Sequence, residues 1–187
     1  MRVFLGGSRF SESLPMNLIG ELDKFIESGS TFLIGDAPGA DTAFQAFLKS
    51  RKYQNVVIYS SADYVRNNLG DWKFEIIESG MKSKSSASHA FKDRHMSEIC
   101  SIGIMNWDEH SVGTLSNVID LIERKKECHL YLDSKKQVVP MSSISQLNAL
   151  AVKYPESFEE AQLRLARYRK RKAKLTTNFD LGISLFD

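Results

Sequence analysis

Little in this chain would tie it down covalently or through a metal. Its 187 residues include two cysteines, Cys100 and Cys128, too few for a disulfide framework and in no CxxC or other metal-binding spacing. The four histidines, His89, His95, His110 and His129, are scattered without a paired spacing, so neither a metal nor a cofactor is expected. No apolar run approaches the roughly 20 residues that a membrane span needs. The opening MRVFLGGSRF passes from a short apolar run into glycines and has no signal-peptide core, which makes a soluble, cytoplasmic protein the expectation. The usual nucleotide signatures, GxGxxG and GxxxxGK[ST], are absent as well.

What remains is an ordinary globular composition. Hydrophobic residues make up 42% and charged residues 26%, which excludes a disordered or fibrous chain. The net charge of +2 hides an asymmetry. Residues 161–187 carry seven Lys/Arg against Asp180 and Asp187, so that segment holds +5 and residues 1–160 hold −3. A basic C-terminal segment follows a mildly acidic body.

The hydrophobic pattern predicts alternating strands and helices. Arg2–Leu5, Thr31–Ile34, Val56–Tyr59, Ile102–Asn106 and His129–Leu132 are short β-prone runs. Between them, Leu18, Leu22, Phe25 and Ile26, then Ala43, Phe44 and Phe47, then Leu115, Val118, Ile119 and Ile122 recur at helical spacing, and 88–100 is also expected to be helical. Strand–helix alternation with short joints is the pattern of an α/β, doubly wound parallel sheet, a Rossmann-like domain over residues 1–133. Residues 60–90 break the rhythm. They are expected to form an excursion with a short helix near 72–79, placed as a lid over the sheet edge. A helical extension, 134–174, follows: a short strand at 137–139, a helix at 144–152, and a basic helix at 157–172 with Ser157 as its N-cap. An apolar tail, 175–187, ends the chain.

In such a sheet, ligands bind at the carboxyl ends of the strands where strand order reverses. Three loops leave those ends suitably equipped. Gly6-Gly7-Ser8-Arg9 offers close backbone approach, a hydroxyl and a guanidinium fork. Gly35-Asp36-Ala37-Pro38-Gly39-Ala40-Asp41 and Asp108-Glu109-His110-Ser111-Val112-Gly113-Thr114 both run into helix N-termini, where free N–H groups favour anions. Each residue also has a local alternative: glycine for a tight turn, Asp or Ser as a helix cap. Trp107 either stacks on a base or packs in the core. Lys92 and Arg94, on the helix before the fourth long strand, are further candidates to face phosphate.

The runs GGSR, GDAPGADTAFQAF and RHMSEICSIGIMNWDEHSVGTLSNVIDL resemble the SLOG superfamily, and within it the YspA/YpsA-related branch. The resemblance covers about residues 1–133. It implies a Rossmann-like domain that binds a nucleotide or a nucleotide-derived, ADP-ribose-like molecule, in bacterial or phage conflict systems, and by analogy with LOG phosphoribohydrolases it implies a homo-oligomer. In those enzymes an arginine and a glutamate three residues after a Gly-Thr pair act on an N-glycosidic bond. Arg94 stands at the arginine, but Asn117 stands at the glutamate. An amide cannot act as that carboxylate, which puts the hydrolytic mechanism in doubt and leaves Asp36, Asp41 and Asp108 as substitutes.

Three functions follow as expectations. The first is a sensing or sequestering module that binds its ligand through Gly6, Gly7, Ser8, Arg9, Gly35, Asp36, Gly39, Ala40, Asp41, Arg94, Asp108, Ser111, Gly113, Thr114 and Asn117. The second is an N-glycoside or phosphoribosyl hydrolase that uses Arg94 with Asp36 or Asp108. The third is a DNA-associated protein using the basic cluster Arg164–Lys174 and the tail. The tail residues 181–187 are apolar enough to pack back, to pair along an edge or to engage a protein partner.

Overall fold

A computed structural model describes residues 1–78 and 86–180. Seven strands, β1 (Arg2–Gly7), β2 (Thr31–Gly35), β3 (Val56–Ser60), β4 (Lys73–Ile76), β5 (Ile102–Trp107), β6 (Glu127–Leu132) and β7 (Gln137–Met141), form one sheet in the order β4-β3-β2-β1-β5-β6-β7. Every pairing is parallel except β6 with β7. Six helices flank it among the described residues: α1 (Met16–Glu27), α2 (Ala40–Ser50), α3 (Ser86–Ile99), α4 (Val112–Glu123), α5 (Ile144–Lys153) and α6 (Pro155–Asp180). This is the expected Rossmann-like α/β architecture.

The strands are continuous apolar runs because both faces are covered. Alternate residues go to opposite sides. Val3, Leu5, Phe32, Ile34, Ile58, Ile102 and Ile104 pack against Leu18 and Leu22 of α1 and Phe44 and Leu48 of α2. Phe4, Leu33, Tyr59, Met105 and Trp107 face the other way, onto Met96 of α3, the apolar stripe of α4, and Leu147, Phe158, Ala161 and Leu165 of α5 and α6. Cys100 and Cys128 are free and buried within that second layer. No described helix is long and apolar enough to cross a membrane.

Three local expectations are corrected. Residues 73–76 form an edge strand, not a helix. Lys73, Phe74 and Ile76 are exposed and only one flank is paired, so the run carries too little burial to set a period. The segment before it is no lid either. Asn68 brackets Trp72 by donating to its carbonyl at 2.8 Å and accepting from its N–H at 3.0 Å, and the Trp72 ring is buried, with its Nε1 donating to the Tyr53 carbonyl. The loop is thereby pinned to the sheet edge. Finally, the last helix starts at Pro155, the first-turn position where a missing N–H costs nothing, so Ser157 lies inside it and is not its cap. The unpatterned run beyond Glu78 and the tail 181–187 lie outside the described residues.

The sheet crosses the boundary expected at residue 133, since β7 extends it. One carboxylate of the body gathers four donors from this extension. Glu109 accepts from the Ser134 N–H (2.6 Å), the Ser134 hydroxyl (2.9 Å), Lys153 Nζ (3.1 Å) and the Tyr154 hydroxyl. Glu109→Ala strands those donors and should lower stability by about 2 kcal/mol in denaturant unfolding, whereas the neighbouring exposed His110→Ala should leave it unchanged.

Candidate functional site

A cavity of about 520 Å³ opens at the carboxyl ends of β1 and β5, the point where strand order reverses. Of the residues singled out in the sequence, Gly6, Gly7, Ser8, Arg9, Asp41, Arg94, Asp108, Ser111, Gly113 and Asn117 line it. Gly35, Asp36, Gly39, Ala40 and Thr114 stand behind the wall.

The glycines behave differently from one another. A Cβ on Gly7 would lie 2.5 Å from the Asn106 carbonyl oxygen and 2.6 Å from the Ala40 methyl. One on Gly39, where φ is +79°, would lie 2.3 Å from the Arg9 carbonyl oxygen. These two glycines let the first and second loops touch backbone to backbone, and the Ala40 N–H donates to the Ser8 carbonyl at 3.0 Å. A Cβ on Gly35 would strike Asp41 and Lys92, so Gly35 makes room for a buried ion pair. Of the glycines in the three loops, Gly113 alone faces open space, its nearest neighbour being Ser111 Oγ at 3.9 Å.

The carboxylates also part company. Asp36 accepts from Arg66 Nη2 (2.5 Å) and Nε (3.0 Å), the Arg66 N–H (3.2 Å) and the Ser60 hydroxyl (2.8 Å). Burial alone would raise its pKa, but Arg66, Lys92 and Ser60 outweigh burial and hold it below the ordinary value. It is a structural anchor, fully engaged. Asp108 accepts from the Ser8 hydroxyl and from the N–H groups of His110 and Ser111 at 3.1 and 2.8 Å. Those bonds overcome its own burial and keep it ionised. Asp41 does not cap α2, whose N-cap position is Gly39 and which has no side-chain cap. It accepts from the Ala37 N–H and sits 3.7 Å from Lys92 Nζ, and burial pushes its pKa up, with Asp93 and Asp36 adding to the rise.

α3 supplies the floor. Lys92 and Arg94 are both buried but diverge. Lys92 turns to Asp41 and to Asp93 (3.0 Å); burial alone would lower its pKa, yet the charges of Asp93 and Asp41 hold it above its usual value. Arg94 turns to α4. Its Nη1 donates to the Ser116 carbonyl at 2.8 Å and lies 3.7 Å from Asp120, and its Nη2 donates to Asn117 Oδ1. Nε of Arg94 finds no partner among the described residues. Burial pulls the guanidinium pKa down and the Asp120 charge opposes the fall. Thus the counter-charge of Arg94 is Asp120, one helical turn past Asn117, a spacing visible in the sequence but overlooked there.

Ser111 caps α4, accepting from the Thr114 N–H and the Thr114 hydroxyl. Thr114 therefore serves the cap from inside the protein. Trp107 is fully buried, donates to the Ser111 carbonyl and meets Tyr154 edge-on at 5.0 Å, so it packs and offers no face to a base. The sequence reading missed Arg66, Phe10, Asp93, Arg164, Leu165 and Tyr168 as lining residues. No local pattern marks Arg66 or Phe10, while Arg164 and Tyr168 fall in the basic C-terminal helix, which the sequence offers to nucleic acid and not to this site.

The Asp36 anchor makes a pH-dependent prediction. Its folded pKa is depressed below the ordinary 3.8, so its contribution is complete above that value and fades as pH falls through the folded pKa. Asp36→Asn should cost about 2 kcal/mol near neutrality. The gap from the parent protein, followed by denaturant unfolding across acid pH, should close only below 3.8.

No protein-family model matches the chain, and no curated protein sequence matches it significantly. Among solved structures it is similar to DNA processing protein A from Helicobacter pylori, described for its single-stranded DNA binding mode, with 15% identity and a TM-score of 0.48. The match covers 70% of this chain and 64% of that one.

Proposed function

We propose that the cavity at the β1–β5 crevice binds a phosphorylated nucleotide or nucleotide-derived molecule and holds it intact, as a sensing or sequestering module. The observation that carries this reading is the position of the cavity. It lies at the strand-order reversal, bounded by the Gly6–Arg9 loop and by the N-terminus of α4 at Val112 and Gly113. Its charge agrees: Arg9, Arg66, Lys92, Arg94 and Arg164 line it against Asp41, Asp93 and Asp108. Its volume suits a ligand of nucleotide size. The SLOG-like motifs point to the same ligand class.

Hydrolysis is the weaker reading. Arg94 is bonded to an amide at Asn117, Asp36 is spent on Arg66 and Ser60, and Asp108 already accepts three hydrogen bonds. A DNA-binding role for the basic helix is weaker too. Arg169 and Lys172 pair with Glu123 of α4 and Glu98 of α3, so part of the positive charge of α6 serves the fold.

Equilibrium dialysis against AMP, ADP-ribose, NAD and adenosine, read by mass spectrometry, should show a phosphorylated member retained unchanged. Gly113→Asp should reduce that retention about a hundredfold by placing a carboxylate at the anion site, with no loss of fold because the space beside Gly113 is open. Equal retention by this variant would remove the ligand from the α4 N-terminus. Release of free base by the parent protein would replace the binding module with a glycosidase.

A further inference from the structure

The cavity is not closed by the Rossmann-like domain alone. Arg164, Leu165 and Tyr168, three residues of α6, form part of its wall. They are held there firmly. Ala161 and Leu165 are buried against α4, the Ser116 hydroxyl reaches the Ala161 carbonyl, Arg169 pairs with Glu123, and Lys172 pairs with Glu98 at 3.0 Å. The Tyr168 ring meets Phe91 of α3 edge-on at 4.9 Å, which fixes its plane.

Resting on the nucleotide-binding reading, we infer that the C-terminal helix is part of the ligand site, with Tyr168 contacting the sugar-and-base portion of the ligand and Arg164 contacting a phosphate. Two further observations support it. The Nε–H of Arg94, buried in the same wall, lacks a partner among the described residues, and a buried N–H without one is a donor awaiting an acceptor. Second, Arg164 is half exposed, and its Nε and Nη2 both rest on Glu160 Oε1, an exposed i,i+4 pair on the same helix. Such a pair holds its arginine weakly, so the guanidinium can turn to a phosphate at little cost, whereas Arg169 and Lys172 are committed to partners on other helices. Tyr168 differs from its exposed neighbours Arg167 and Arg169 in being half-buried, and it brings to the cavity wall an aromatic ring and a hydroxyl as a polar handle.

The test compares the parent protein with Arg164→Gln, Tyr168→Ala, Tyr168→Phe and the control Lys170→Gln, an exposed position of α6 outside the cavity. Each is titrated calorimetrically with AMP, ADP-ribose and adenosine, with circular dichroism to establish that it is folded. Arg164→Gln should weaken the phosphorylated ligands about tenfold and leave adenosine unchanged. Tyr168→Ala should weaken all three about tenfold, Tyr168→Phe should recover most of that loss, and Lys170→Gln should match the parent. If the parent binds but the folded Arg164 and Tyr168 variants bind equally well, α6 is only a scaffold and the inference falls while the cavity assignment stands. Should the parent bind none of the three, both readings fall.

Discussion

A parallel strand buried on both faces can be joined to its neighbour only by a crossover that traverses one face of the sheet. Here the chain builds outward from β1 through β2, β3 and β4, then returns through α3 to lay β5 on the opposite flank of β1. The connections leaving β1 and β5 therefore diverge to opposite faces, and a crevice must open between their carboxyl ends. Every other feature of the candidate site hangs on that reversal. It brings Ser8 and Asp108, one hundred residues apart, into hydrogen-bond contact, and it aims the N-terminus of α4 at the opening.

The floor of the crevice is unusual in being charged. α3 buries Lys92, Arg94 and Ser97 beside Phe91 and Met96, so its inner face is not an apolar stripe. Buried charges are tolerable only when partnered, and each cation is: Lys92 by Asp41 and Asp93, Arg94 by Asp120 together with the Ser116 carbonyl. Such pairs add little net stability over an apolar core. Their effect is to fix the loops in one arrangement. Lys92 ties α3 to the second loop and Arg94 ties it to α4, so the crevice is held from both sides.

The extension is part of the same body. β7 continues the sheet, Glu109 staples the following turn and α5, and α6 lies along α4 with acidic partners for its basic side chains. A segment that reads in isolation as a basic helix suited to nucleic acid here gives Arg164, Leu165 and Tyr168 to the wall of the crevice.

The sequence by itself determined the strand–helix rhythm and the three loops at the strand ends, because continuous apolar runs, glycine-rich turns and helical stripes are local signals, while Arg94 stood out through the resemblance of its surroundings to the SLOG motifs. It did not determine β4, since an edge strand paired on one flank and mostly exposed has no burial pattern to display. Nor could it sort the candidates within the loops. Gly7 and Gly39 are needed where two backbones meet and Gly113 borders open space, yet all three are simply glycine in the chain. Asp36 is consumed by Arg66, thirty residues away, and Arg94 takes its counter-charge from α4. Those assignments, and the place of Tyr168 and Arg164 in the cavity wall, were decided by tertiary structure alone, because they depend on which elements the reversal of the sheet brings face to face.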